Sequence, residues 1–140
     1  MVTNFKLDIQ TSMKYALAAC ALLDVIPQDL PAWLAFHRAA GIEHAFLYLR
    51  SPVDAQTEAE IQAATPGFCT VLPWPSPLAE AAAWDYACRL LQGRVDWLLC
   101  LGPQDYVAAS DGRPLAEVLA GFDAQTGRIQ MRPCWQVSAQ

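Results

Sequence analysis

The most constraining feature of the chain is Tyr15-Ala-Leu-Ala-Ala-Cys-Ala-Leu-Leu23, nine consecutive residues without a charge, closed by Asp24 and Pro27. A strand with one wet face alternates polar and apolar residues, whereas an unbroken apolar run suits a strand covered on both faces of a sheet. The nine residues are about half of what a membrane-spanning helix requires. The run therefore predicts a strand in the interior of a sheet.

Beyond this run, helix and strand alternate. Asp29 is placed to act as an N-cap and Pro31 fits a first turn. Leu30, Trp33, Leu34 and His37 recur at helical spacing until Gly41, which predicts a helix over residues 29–40. His44–Leu49 is short and apolar and ends at Ser51-Pro52, so it reads as a second strand. Residues 57–64, with Glu58 and Glu60 near the start, make a short helix, and residues 68–72 a third strand closed by Pro73-Trp-Pro-Ser-Pro77. Residues 78–92 form a strong helix, with Ser76 as its cap, Gly93 as its stop and Ala81, Trp84, Ala87, Cys88 and Leu91 on one face. A fourth buried strand spans 96–101, a short helix 114–119 and a last strand 128–137. Parallel neighbours need right-handed crossovers, so this order predicts an α/β domain of three layers, α/β/α, with a mainly parallel sheet. The 140 residues fit one domain, with residues 1–14 as an N-terminal extension.

Composition narrows the function classes. With 54% hydrophobic and 16% charged residues, against a usual charged share of about 25%, the chain is neither disordered nor a coiled coil. Its net charge of -5 comes from 14 acidic and 9 basic residues without a basic run, which excludes the phosphate-neutralising surface of a nucleic-acid binder and disfavours anionic membranes. Residues 1–14 lack the basic-then-apolar layout of a secretory signal, so a cytoplasmic location is expected. Cys20, Cys69, Cys88, Cys100 and Cys134 contain no Cys-x-x-Cys pair and read as small core side chains.

Ligands of a parallel sheet bind beyond the carboxyl ends of its strands, which selects residues 24–28, 50–54, 73–77 and 102–106. Neither Gly-x-Gly-x-x-Gly nor a Gly-Lys-Ser/Thr loop occurs there, so ordinary dinucleotide and P-loop sites are excluded. Asp24 and Asp54 can bond a nucleobase or ribose, or simply close turns. Trp74 is either a stacking lid or a cover for the sheet edge. Asp105 is either a ligand or a turn former, and His37 either a ligand or a packing residue. Trp33, Trp84 and Trp97 lie in apolar periodic segments and are assigned to the core.

Two segments carry a resemblance: Trp33-Leu-Ala-Phe-His-Arg-Ala-Ala-Gly-Ile-Glu-His-Ala-Phe-Leu-Tyr48 and Asp96-Trp-Leu-Leu-Cys-Leu-Gly-Pro-Gln-Asp-Tyr106. Together they resemble the family 2-like glycosyltransferases, in particular the galactan-synthase-like branch, over roughly residues 16–135. In that family a Trp-x-x-x-His-x-x-x-Gly segment precedes the second strand, and an Asp-Trp-hydrophobic strand runs into an Asp-x-Asp motif. The resemblance implies a GT-A fold and a nucleotide-sugar donor. It also implies a saccharide or lipid acceptor, and a divalent manganese or magnesium ion bridging the donor phosphates. It assigns Asp105 as the catalytic and metal-binding residue, and Asp24, Asp54 and Gln104 as donor contacts. The residues aligned with the Asp-x-Asp are Gly102, Pro103, Gln104 and Asp105, so one acidic residue remains, and Ala32 stands where the family has Glu. Two function classes are compatible with this pattern: a glycosyltransferase, or a catalytically inactive GT-A-like domain for binding or for assembly with a protein partner.

Overall fold

β2 (Tyr15–Leu23) lies in the interior of the sheet of the computed structural model, which describes residues 2–4, 15–51, 53–74, 80–122 and 127–129. From Leu17 to Leu23 every side chain of this strand is buried. Because a strand turns successive side chains to opposite faces, Leu17, Ala19, Ala21 and Leu23 enter one core cluster and Ala18, Cys20 and Leu22 the other. Both faces of β2 must be covered, and the rest of the chain supplies the covers.

The other elements are β1 (Val2–Asn4), α1 (Leu30–Ala39), β3 (His44–Leu49), α2 (Ala55–Ala64), β4 (Cys69–Pro73), α3 (Glu80–Leu91), β5 (Val95–Leu101), α4 (Leu115–Ala120) and β6 (Arg128–Ile129). β2, β3, β4 and β5 form an all-parallel set, with Ala18 opposite His44, Ala45 opposite Cys69, and Cys20 opposite Cys100. Leu30, Trp33 and Leu34 of α1, Ile61 of α2, and Leu115 and Leu119 of α4 pack on the Leu17 side. Ala83, Ala87 and Leu91 of α3 pack on the Cys20 side. This is an α/β architecture compatible with three layers.

The sheet order is β4-β3-β2-β5-β1-β6. The chain steps outward from β2 to β3 to β4, then returns through α3 to β5 on the other side of β2. The direction of winding therefore reverses between β2 and β5, and in sheets of this kind the ligand crevice lies at the carboxyl ends beside such a reversal.

Several expectations change. Val2–Asn4, assigned to an extension, pairs antiparallel with β5 and with β6, so the sheet gains a strand at its mixed side. α2 begins two residues earlier than expected, because Asp54 caps it through the Thr57 amide. Asp29 makes no side-chain cap on α1; the Tyr106 hydroxyl occupies its carboxylate instead. Ser76 and residues 130–137 of the last expected strand lie outside the described residues, as does Cys134. Cys20, Cys69 and Cys100 are buried free thiols and Cys88 is half-buried. Trp33 and Trp97 are buried, and Trp84 packs at the margin of the α3-side cluster.

Gly41 ends α1 with φ +102° and brings two helices together. A Cβ at this position would lie 3.1 Å from Pro114 Cβ and 3.2 Å from the Leu115 nitrogen, whose N–H donates to the Ala40 carbonyl at 2.9 Å. Gly67 also has positive φ, +70°, but a Cβ there meets nothing within 4 Å. Gly67→Ala should therefore cost only backbone strain, about 1–2 kcal/mol. Gly41→Ala should cost that plus the displacement of α4, about 1–3 kcal/mol more by the usual scale of overpacking. Urea midpoints of the two variants and the parent measure the difference.

Candidate functional site

The crevice is built on the turn that succeeds β5. Pro103 fixes φ at the second position of a four-residue turn, and the Asp105 N–H donates to the Gly102 carbonyl at 3.2 Å. In return the Gly102 N–H donates to Asp105 Oδ2 at 2.8 Å. Gly102 makes this possible, because a Cβ there would stand 3.1 Å from that oxygen. Gln104 is exposed at the turn's third position.

α1 grips the same turn. Trp33 and His37, four residues apart, share one helix face. Trp33 Nε1 donates to the Asp105 carbonyl at 2.9 Å, and His37 Nε2 accepts the Val107 N–H at 3.1 Å. His37 Nδ1 donates to the Trp33 carbonyl at 2.9 Å, so the two contacts together fix the neutral tautomer that carries its proton on Nδ1. Tyr106 stacks on the His37 ring, with centroids 5.7 Å apart, and its hydroxyl donates to Asp29 Oδ2 at 2.9 Å. Burial pushes the His37 pKa down, against a smaller upward pull from the Trp33 carbonyl and from the charge of Asp105. Of the two alternatives for His37, packing and a fixed backbone contact describe it.

Other carboxylates lie at the carboxyl edge of the sheet. Asp24, at the end of β2, pairs with Arg50 at the end of β3 (Oδ1 to Nε, 2.6 Å), and its carbonyl accepts from Ser51 Oγ at 3.0 Å. Asp54 accepts the Thr57 N–H at 2.7 Å, and its backbone and side-chain bonds to Thr57 hold its carboxyl below the usual range. Burial pushes the Glu80 carboxyl up, and the charges of Asp105 and Asp24 add to the shift. Glu80 therefore faces the same crevice from the first turn of α3.

Beside the crevice, a cleft of about 300 Å³ opens at the carboxyl ends of β3 and β4. Leu49, Val71 and Trp74 give it apolar walls, and Arg50, Ser51 and Glu58 supply its polar groups. The volume matches the small end of ligand sites, and the mostly apolar lining with a few polar groups is their usual make-up.

The residues selected from the sequence thus separate into two places. Asp105 and Gln104 share the β5 turn with Asp24 across the crevice, while Asp54 caps α2 near the cleft. Arg50, Ser51 and Trp74 fall in the loops selected by the strand-end rule. Glu58 and Glu80 were not singled out as site residues, because an acidic residue in a first helical turn is also what any helix N-terminus favours. The divalent ion implied by the resemblance does not fit these residues. The Asp105 carboxylate is turned onto the Gly102 N–H, Gln104 offers a neutral oxygen, and among the described residues no three His, Cys, Asp or Glu side chains converge as ligands. No family model, no curated protein and no solved structure matches the chain. Among the described residues no helix is long and apolar enough to cross a membrane.

The two histidines set the response to acid. His44, 2.7 Å from Thr70 Oγ1 and stacked on Tyr15, is also pushed below 6.5 by burial, offset in part by a backbone bond to Gly67. Below about pH 6.5 the unfolded chain then binds more protons than the folded one, so stability rises with pH through that window and is fully present above it. Glu80, pushed up, acts in the opposite sense, so the test is made in Glu80→Gln, whose urea midpoints should hold steady from pH 8 to 7 and fall as the pH is lowered from 6.5 to 5. A midpoint flat across the lower interval contradicts the two buried neutral imidazoles.

Proposed function

We propose that the chain is a GT-A-like domain, related to the glycosyltransferases it resembles, that binds a sugar-bearing ligand at the carboxyl edge of its sheet without transferring the sugar. The observation that carries this reading is the engagement of Asp105: the last acidic residue of the motif closes its own turn and is held there through Trp33. A carboxylate locked in this way supports the turn more directly than it supports a diphosphate-bound ion.

Charge supports the same reading. Asp24, Asp54, Glu58, Glu80 and Asp105 gather on this edge, and Arg50 is already paired with Asp24. Two like charges about 8 Å apart repel by roughly 2 kcal/mol at an effective dielectric of about 20. A diphosphate entering without its ion adds two more negative charges to this field, whereas a neutral sugar or nucleoside does not meet that repulsion. The cleft beside Trp74 has room for one such ring system.

One observation favours transfer as a second reading. Glu80, its carboxyl pushed up by burial and by the charges of Asp105 and Asp24, holds a proton more readily than a free carboxyl, which is what a proton-exchanging group needs. In that case the domain moves a sugar from a nucleotide donor to a saccharide or lipid acceptor, and Glu80 or Asp105 is the base.

Calorimetry separates the readings. Uridine and guanosine diphosphate sugars, with and without manganese, are compared with uridine, guanosine and free monosaccharides. The binding-domain reading expects weak heats from the diphosphates, no gain from manganese, and a signal for a neutral component that Trp74→Ala abolishes. A strong manganese-dependent heat, or donor turnover that Glu80→Gln or Asp105→Asn lowers by about 100-fold, the scale of positioned acid-base groups, establishes the transferase instead.

A further inference from the structure

The contact between His37 and the Val107 amide joins a buried titratable ring to the loop that walls the crevice. Its geometry allows one protonation state. Nδ1 needs its proton to reach the Trp33 carbonyl at 2.9 Å, so Nε2 must be bare to accept the Val107 N–H at 3.1 Å. A second proton would place two donors face to face in a position that is 0% exposed, where water cannot separate them.

We propose that His37 is a pH-operated latch: its neutral ring holds residues 102–107 against α1, and its protonation releases that loop while the sheet stays folded. The loop is poised for this. It is tied to α1 by the Val107 bond, by the Trp33 bond to the Asp105 carbonyl, and by Tyr106, which covers the His37 ring, meets Phe36 edge-on at 5.1 Å and reaches Asp29, and the half-buried Val107 side chain packs on the core. The residues between are exposed or half-buried, and the buried Leu115 and Leu119 of the next helix belong to the core rather than to the loop. By contrast, β2 and β5 are paired along their length and buried on both faces.

The surroundings of the ring set the direction. From the loop, Asp105 faces His37 with a negative charge that favours the proton, and Tyr106 lies over it as a neutral phenol bonded to Asp29. On α1 itself Phe36 packs edge-on at 5.3 Å and Trp33 at 4.4 Å, both uncharged. Burial outweighs Asp105, so the ring is neutral near pH 7 and the latch opens on the acid side of 6.5. Opening frees the Asp105 carbonyl from Trp33 Nε1 and lets the turn at the carboxyl end of β5 move, while the Asp105 carboxylate stays bonded to Gly102 within that turn. This inference concerns the loop alone and does not depend on what the cleft binds.

Hydrogen exchange on the whole chain tests it without any ligand. Amide exchange is followed from pH 7.5 to pH 5 and corrected for the intrinsic pH dependence, while the ring protons of both histidines are titrated by NMR. Protection of the Val107 amide should fall by at least about tenfold in step with the titration of His37, while the amides of Leu98 and Leu99 keep theirs. The same step should persist in His44→Gln. In His37→Gln, if it folds, protection of the Val107 amide should no longer vary with pH. Two results overturn the latch: loss of Val107 protection only together with the core amides, or Val107 protection unchanged once His37 has taken up its proton.

Discussion

Burial of β2 on both faces is the constraint on which the whole architecture depends. A strand whose two faces are both dry cannot sit at a surface, so it forces helices onto either side, and helices on either side force parallel crossovers. Those crossovers fix which strand ends meet. β2 lies between β3 and β5, the chain changes its winding direction there, and Asp24 and Gly102 come to face one crevice. The alanines and the cysteine of β2 contribute through their size. Ala19 and Ala21 leave space on one face for the larger Trp33 and Leu34 of α1, and Ala18 and Cys20 do so on the other face for Leu91 of α3.

The three residues that carry the resemblance at its first segment have a common structural role. Trp33 and His37 hold the turn after β5, and Gly41 admits the first turn of α4 against the end of α1. The four-residue spacing of Trp33 and His37 is the spacing of one helix face, and that face meets the loop. A motif can thus record how a loop is fixed rather than what it binds. The carboxylates on the same edge divide similarly into those engaged in turns, caps and pairs (Asp105, Asp54, Asp24) and those exposed or strained by their neighbours (Glu58, Glu80).

Much of the fold was legible in the sequence where burial is uniform. β2 and β3 appear with the expected bounds because their apolar runs end at polar or proline residues. Legibility fails where tertiary partners decide. Asp29 looks like a cap until Tyr106, distant in sequence, claims it. Asp54 reads as a ligand contact or as a turn former, and the α2 start that it caps lies two residues before the helix expected from the sequence. Val2–Asn4 is three residues long, too short for any periodicity, and becomes a strand only by lying between β5 and β6. The strand-end rule found the crevice and part of the cleft. The bond from the Gly102 N–H to Asp105 lies in a turn where a Cβ would fit only tightly, and sequence spacing does not express it.

The position of β1 has a consequence for how the molecule comes into being. Val2 is aligned with Leu99 and with Ile129, so β1 has both of its neighbours far downstream in the chain. The parallel core from β2 to β5 can close while β1 still waits as a loose thread, and the sheet's mixed side is finished only when β6 arrives. The contacts of β1 are among the most distant in the chain, and such contacts slow folding because the intervening loop must be closed before they form. Until β1 docks, the outer edge of β5 offers its backbone to any other strand nearby, which makes the interval before completion the period when this protein is most exposed to pairing with the wrong chain.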